Sequence, residues 1–230
     1  LRKRQQLRQF EDIELSSLIE EVLSDLKVDV EFHGNDFTIE QVLQWQQSDL
    51  ALLTNMAQRY GKYFSLWDDV LQVFSVEGLE QDITLSWGEG LLSVNVELNA
   101  DPACRTVEVI GWHPKTAEKI TGEAGIVGGF SSMDDSTHPG YVGVPGERYL
   151  TSQTVSTEEE ANALGEAMLQ RRVSGEAVVK ATADGSEKLR PGARVTLNKI
   201  ATEVMGEYTI TSVTHKFDRA QGYLCELDSS

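Results

Sequence analysis

The chain of 230 residues is poor in cysteine, proline and positive charge, and it has no long apolar run. Two cysteines cannot build a disulfide framework. Cys104, beside Ala103 and Arg105, and Cys225, between Leu224 and Glu226, could make one bridge. Their surroundings read as strands, and we take them as two partly buried thiols in a reducing compartment. No apolar stretch approaches the ~20 residues of a membrane-spanning helix, which argues against membrane insertion. Lys plus Arg number 20 against 37 Asp plus Glu, a formal net charge of −17. Such a chain repels phosphate backbones, so direct nucleic-acid binding is not expected. Five prolines and 19 glycines exclude collagenous and low-complexity classes. What remains, 40% apolar and 25% charged residues, is ordinary globular composition with length for one or two domains.

Positive charge gathers at Arg2, Lys3, Arg4 and Arg8, which precede Glu11. These residues lead into a polar stretch and not an apolar one, so no signal peptide is visible. The basic start reads as a solvated strand or tether and is too short for a nucleic-acid arm. The first residue is Leu, read as an internal position with an N-terminal part missing.

Leu15, Leu18, Ile19, Val22, Leu23 and Leu26 recur at helical spacing opposite Glu20, Glu21 and Asp25. Residues 28–32 alternate as a strand, and His33-Gly34-Asn35-Asp36 is turn chemistry. Phe37, Ile39, Gln41, Leu43 and Trp45 then share one expected face. Ser48 suits an N-cap, with Asp49 at the positive end of the helix dipole. Leu50, Leu53, Met56, Ala57 and Tyr60 give that helix an apolar side, and Gly61 stops it. Asp68-Asp69 predicts a hairpin between 62–67 and 70–76. Residues 14–82 thus read as a small α+β unit, with 1–13 leading into it.

From Ile83 the period becomes two. Leu92, Val94, Val96 and Leu98 alternate with Ser93, Asn95 and Glu97, and Thr106, Glu108, Ile110 and Trp112 alternate with Val107 and Val109, which predicts a long antiparallel hairpin. Residues 116–150 hold Gly122, Gly125, Gly128, Gly129, Gly140, Gly143 and Gly146 with Pro139 and Pro145. So long an irregular gap reads as a functional or mobile loop. Ser156 and Glu159 suggest a capping box for a helix over 157–172. Strands follow over 176–183, 193–198, 208–217 and 223–227, with Asp184-Gly185, Pro191-Gly192 and Gly206 between them. Six such strands predict a small antiparallel barrel over 83–230, covered by the helix. Trp112, Ile110, Tyr208 and Ile210 are expected to pack inside it or against that helix, in which case Trp112→Ala costs about 3–5 kcal/mol.

No enzyme class gains support. His33, His113, His138 and His215 lack His or Cys partners at ligand spacing. His215, beside Lys216, suits a barrel surface or rim. Asp134-Asp135-Ser136-Thr137-His138 lacks the acidic spacing and terminal Glu of a calcium loop. Gly125 to Gly129 is followed by Phe130 and not by the Lys-Ser or Lys-Thr of a phosphate loop. No serine sits in a G-x-S-x-G elbow. Trp45, Trp67, Trp87 and Trp112 have acidic neighbours, unlike a nucleic-acid stacking platform. No cofactor is implied.

Four stretches carry a resemblance. Ser48-Asp49-Leu50-Ala51-Leu52-Leu53 through Ala57-Gln58-Arg59-Tyr60-Gly61, preceded by Gln46, is one. Arg105-Thr106-Val107-Glu108-Val109-Ile110-Gly111-Trp112-His113-Pro114 is the second, and Leu189-Arg190-Pro191-Gly192 the third. Gly206-Glu207-Tyr208-Thr209-Ile210 through Val213-Thr214-His215-Lys216-Phe217 is the last. Together, and in this order, they resemble the late control protein D family of tailed phages. That family comprises the baseplate hubs of contractile tails, including the hub portion of type VI secretion spike proteins. His113 stands where the family often has an acid.

The resemblance implies two tube-type barrels per subunit with an α+β insertion between them; here 83–230 is the second barrel, 14–82 most of the insertion, and 1–13 a lead-in from a missing or truncated first barrel. It also implies a homotrimeric ring that adapts a hexameric tail tube to a trimeric spike. The implied partners are further copies of the chain, the spike protein, the tail tube protein and baseplate wedge proteins. The implied location is the bacterial cytoplasm during assembly, then a phage tail or injection particle. Phe130 and Tyr141, with Gly128 and Gly129, are the expected partner contacts, and an acidic channel wall would repel DNA or acidic cargo. A monomeric barrel that binds glycan or peptide is the alternative.

Overall fold

In the computed structural model the described residues are 7–99, 104, 106–113, 115–125, 148–152, 154–175 and 177–229. In chain order the elements are β1 (Arg8–Glu14), α1 (Leu15–Leu23), β2 (Asp29–Phe32), β3 (Thr38–Gln44), α2 (Asp49–Arg59), β4 (Tyr63–Trp67), β5 (Val70–Phe74), β6 (Leu79–Trp87) and β7 (Gly90–Leu98). Then come β8 (Thr106–Trp112), β9 (Lys119–Gly125), β10 (Arg148–Ser152), α3 (Glu158–Ser174), β11 (Ala177–Asp184), β12 (Ala193–Asn198), β13 (Gly206–Asp218) and β14 (Gly222–Ser229). The protein is α+β and mainly β, with a closed barrel. Two compact units divide the chain. One holds the described residues of Leu1–Ser75, Thr106–Gly125 and Arg148–Leu169, and the other chiefly those of Val76–Arg105 and Gln170–Ser230.

In the first unit, α1 buries Leu15, Leu18, Ile19, Val22 and Leu23, the stripe its spacing foretells, while Leu26 lies beyond the helix end and is exposed. β4 and β5 pair antiparallel with Trp67 opposite Val70. The expected Asp68-Asp69 turn has positive φ at both residues, 46° and 67°, the backbone hand of a tight two-residue hairpin turn. β2 adds to β5 in parallel, so β5 is central and buries Leu71 to Phe74 without alternation.

β1 pairs antiparallel with β3, from Arg8 opposite Gln44 to Glu14 opposite Thr38. The segment read as a lead-in is therefore a working strand of this unit. The shared face expected over 37–45 breaks. Ile39, Val42 and Gln44 are buried, and Leu43 and Trp45 are exposed. The phase changes at Glu40, where the partner strand carries Asp12 at φ 48°. A polar cluster holds Gln44 inward. Arg8 Nε donates to Gln44 Oε1 at 2.8 Å, and Gln44 Nε2 donates to Asp49 Oδ1 at 2.9 Å.

The long hairpin expected from 92–98 and 106–112 does not form. β8 pairs antiparallel with β9 and parallel with β10, and β7 belongs to the barrel. Both segments alternate alike, and alternation does not name a partner. The region 116–150 is also not irregular throughout, because β9 and β10 occupy its ends. α3, up to Leu169, belongs to the same unit as this three-stranded sheet. The approach is close. A Cβ on Gly122 would sit 2.3 Å from the Ala161 carbonyl carbon, and one on Gly165 would sit 3.4 Å from Ala124 Cβ. The cap of α3 falls one residue later than expected: Thr157 Oγ1 accepts from Glu160 N–H at 3.1 Å, and Glu160 Oε2 accepts from Ser156 N–H at 2.9 Å.

The second unit is a closed barrel of strand order β11-β14-β13-β12-β6-β7, with β7 pairing back onto β11. Alternation sets its interior: Val179, Ala181 and Ala183 on β11, and Ala193, Val195 and Leu197 on β12. Leu85, Leu91, Leu189, Tyr208, Ile210, Cys225 and Leu227 complete it. Small side chains are needed because six strands enclose little space. Tyr208 buries its ring and donates its hydroxyl to Val204 O at 2.9 Å. The barrel is not wholly antiparallel, since β6 runs parallel to β12. Trp112 and Ile110 are not part of it, and Trp112 is 61% exposed on β8. Both cysteines are buried thiols outside any disulfide, and Cys104 lies between strands, not within one.

Candidate assembly surfaces

The expected partner contacts Gly128, Gly129, Phe130 and Tyr141, and also His138, lie outside the described residues. Among the described residues no three His, Cys, Asp or Glu side chains gather to hold a metal ion. The other three histidines serve local structure. His33 Nε2 lies 2.7 Å from Gln72 Oε1, and Gln72 Nε2 donates to Glu31 Oε2 at 2.6 Å, which ties β2 to β5. His113 accepts two backbone N–H groups in the β8–β9 turn. His215, exposed on β13, has Nδ1 2.9 Å from Tyr223 Oη and 3.2 Å from Cys225 Sγ. A thiol–imidazole pair could suggest a nucleophile, but Cys225 is wholly buried within the barrel and its Sγ also faces Ser186 O at 3.7 Å.

Buried ionic groups in the first unit are likewise structural. Arg8 Nη2 donates to Asp49 Oδ1 at 2.5 Å, which fastens β1 to the start of α2. There Ser48 Oγ accepts from Ala51 N–H at 3.1 Å, the expected cap. Tyr60 donates to Glu160 Oε1 at 2.8 Å. Burial, and then the Glu160 carboxylate, push the Tyr60 phenol well above its ordinary range, so it remains a donor at any working pH. Gly61, at φ 63°, ends α2 where a Cβ would stand 2.8 Å from Ala167 Cβ.

What the protein offers outward is surface. On the β1–β3 ribbon, Leu43 and Trp45 are exposed, and Leu7 just ahead of β1 is too. On the β10-β8-β9 sheet, Val107 and Val109 are buried. The alternate residues Ile110 and Trp112 point the other way, and so does Leu150, which pairs with Glu108. Trp112 and Leu150 are exposed. On the barrel, Trp87 and Leu98 mark the ends of β6 and β7. The β13–β14 hairpin carries Phe217, 79% exposed, stacked on Tyr223 with centroids 4.3 Å apart. Tyr223 in turn lies on Gly185, where a Cβ would meet its ring at 2.1 Å. The hairpin turn is held by Asp218, which accepts from Ala220 and Gln221 N–H, and these bonds lower its carboxyl pKa. Apolar side chains in several exposed places suit association better than catalysis.

One wall of the barrel is different. Across β7, β11, β14 and β13, Ser93, Thr182, Glu226 and Thr214 lie in one cross-strand row. Asn95, Lys180, Asp228 and Ser212 lie in the next. All eight are polar, and seven are exposed, with Thr182 half-buried. Lys216 pairs with Glu226 across the hairpin. Four adjacent strands thus present a hydrated face of short hydroxyls and mixed charge. The sequence marked these residues only as the polar half of each alternation; their union into one wall required the strand order.

A family model described as the Alg8 N-terminal domain matches residues 1–219. The chain belongs to this family. No curated protein matches the sequence. Solved structures share the fold. The 43 kDa tail protein of prophage MuSo2 from Shewanella oneidensis matches with a TM-score of 0.67 and 14% identity, over 96% of this chain and 66% of its own. A tail protein from Neisseria meningitidis MC58 matches with a TM-score of 0.64 and 13% identity, over 96% of this chain and 68% of its own. A protein of E. coli, described as a type VI secretion component structurally similar to the T4 tail proteins gp27 and gp5, matches with a TM-score of 0.59 and 14% identity. The chain is covered to 99% there and spans 51% of that protein. The fold is thus of phage-tail type, and the chain spans about half to two thirds of these structures.

Proposed function

We propose that this chain is a structural subunit of a phage tail or contractile injection baseplate, and within it the hub. In this reading three copies close a ring that adapts a hexameric tube to a trimeric spike. The observation that carries the reading is the polar wall on β7, β11, β14 and β13. A channel-forming barrel needs one hydrated face toward its lumen and apolar contacts elsewhere. Glu97, Glu226 and Asp228 share that wall with Lys180 and Lys216, so its charge is mixed and it would hold neither polyanions nor polycations strongly. The tail-type fold supports the same reading.

Copies of the chain, the spike, the tail tube and baseplate wedges are then the partners. Phe130 and Tyr141, with Gly128 and Gly129 beside them, contact neighbouring subunits or these proteins. The chain works without a cofactor, is assembled in the bacterial cytoplasm and ends in a phage tail or injection particle.

Solution mass of the complete protein, alone and with its tube and spike partners, tests this. Three copies in a closed particle are expected. A persistent monomer in the presence of both partners overturns the hub reading, and a monomer retained on a glycan or peptide array would replace it with a binding module.

A further inference from the structure

The β8–β9 turn is held from one ring. His113 Nδ1 lies 3.2 Å from both Lys115 N and Thr116 N, while His113 N–H donates to Glu118 O at 2.9 Å and Ala117 N–H donates to His113 O at 2.9 Å. Backbone amides only donate, so Nδ1 must accept and carry no proton. The ring proton is then on Nε2, which faces Glu40 Oε2 on β3 at 3.9 Å, beyond a hydrogen bond. Other charged and polar groups face this corner. Lys115 Nζ reaches Glu40 Oε1 at 2.6 Å, Glu118 Oε2 accepts from Thr116 Oγ1 at 3.1 Å, Ser156 bonds Glu40, and Glu11 and Asp12 of β1 act on Lys115. The Lys115 ammonium, then Ser156, hold the Glu40 carboxyl below its usual range, so an anion waits beside Nε2.

We propose that His113 is a proton-operated clamp on the β8–β9 turn. Neutral, the ring binds Lys115 N–H and Thr116 N–H through Nδ1. A proton taken from solvent onto Nδ1 abolishes that acceptor and sets N–H against N–H, which breaks both bonds. The imidazolium then turns its Nε2–H toward Glu40. An acid at this position would accept the same two N–H groups without releasing them in the range where imidazoles titrate. The histidine therefore adds a response to mild acidity that the turn does not otherwise need.

Amide hydrogen exchange on the whole chain tests the proposal. After correction for intrinsic rates, protection of Lys115 and Thr116 should fall roughly fivefold between about pH 7.5 and about pH 5, the weight of the lost bonds. Val195 and Leu197 in β12 should not change. His113→Asn supplies a side-chain oxygen that accepts and does not titrate, so its protection should stay flat. Ring nitrogen shifts of the wild type give an independent reading should that variant fold poorly, with Nδ1 bare near neutrality. A protonated Nδ1 near neutrality overturns the proposal. So does wild-type protection that ignores pH while the ring titrates, or an asparagine variant as pH-sensitive as the wild type. None of these outcomes depends on the hub reading.

Discussion

In the barrel, every second residue of β11 and β12 is apolar and mostly small, and the interior is filled by alanine, valine and leucine with Tyr208 and Ile210. The other unit fills itself differently. It lets α3 approach β9 until Gly122 meets the Ala161 backbone, and it buries Gln44, Asp49 and Glu160 in hydrogen-bonded groups. The difference teaches where each is vulnerable. A barrel of alternating residues loses stability when volume is removed. A sheet packed on a helix through glycine loses it when volume is added, and a buried ion pair loses it when one partner goes.

Four substitutions test that contrast. Ile210→Ala, at a wholly buried barrel site, should cost about 4 kcal/mol and speed amide exchange in the barrel strands. Arg8→Met should cost about 3 kcal/mol by leaving the Asp49 carboxylate buried without its cation. Chemical denaturation measures it. Gly122→Ala should cost about 2 kcal/mol, because its Cβ meets backbone that cannot rotate away. Equal stability there would show that α3 can slide, and the contrast would fail. Trp112→Ala should change the melting point little, with less than about 0.5 kcal/mol lost, since the ring is mostly exposed. A large loss would return Trp112 to a core and undo the strand assignment.

Local pattern carried far in some places. The α1 stripe, the Ser48 cap, the Asp68-Asp69 turn and the four C-terminal strands could be read because each depends on neighbours within a few residues. It misled at Trp112, where alternation was right and its core-facing half was wrong. Helix α3 supplies the reason: at Gly165 it lies against Val109, on the buried side of β8, which leaves Ile110 and Trp112 on the opposite side. The face over 37–45 failed similarly, because Asp12, and the Arg8 and Asp49 side chains that hold Gln44 inward, lie on other elements. Of the assembly surfaces, the polar residues were visible singly and the wall was not.

The sequence by itself determined the class, the helices, most strands, the absence of familiar catalytic motifs and the negative charge, since these follow from composition and from periods of 2 and 3.6 residues. The tertiary structure alone decided which strands pair. β6, not β8, closes the barrel in parallel with β12, and β8 joins β9 and β10 under α3. Strands of like alternation are interchangeable locally. Only long-range closure of the sheet and burial against a helix distinguish them.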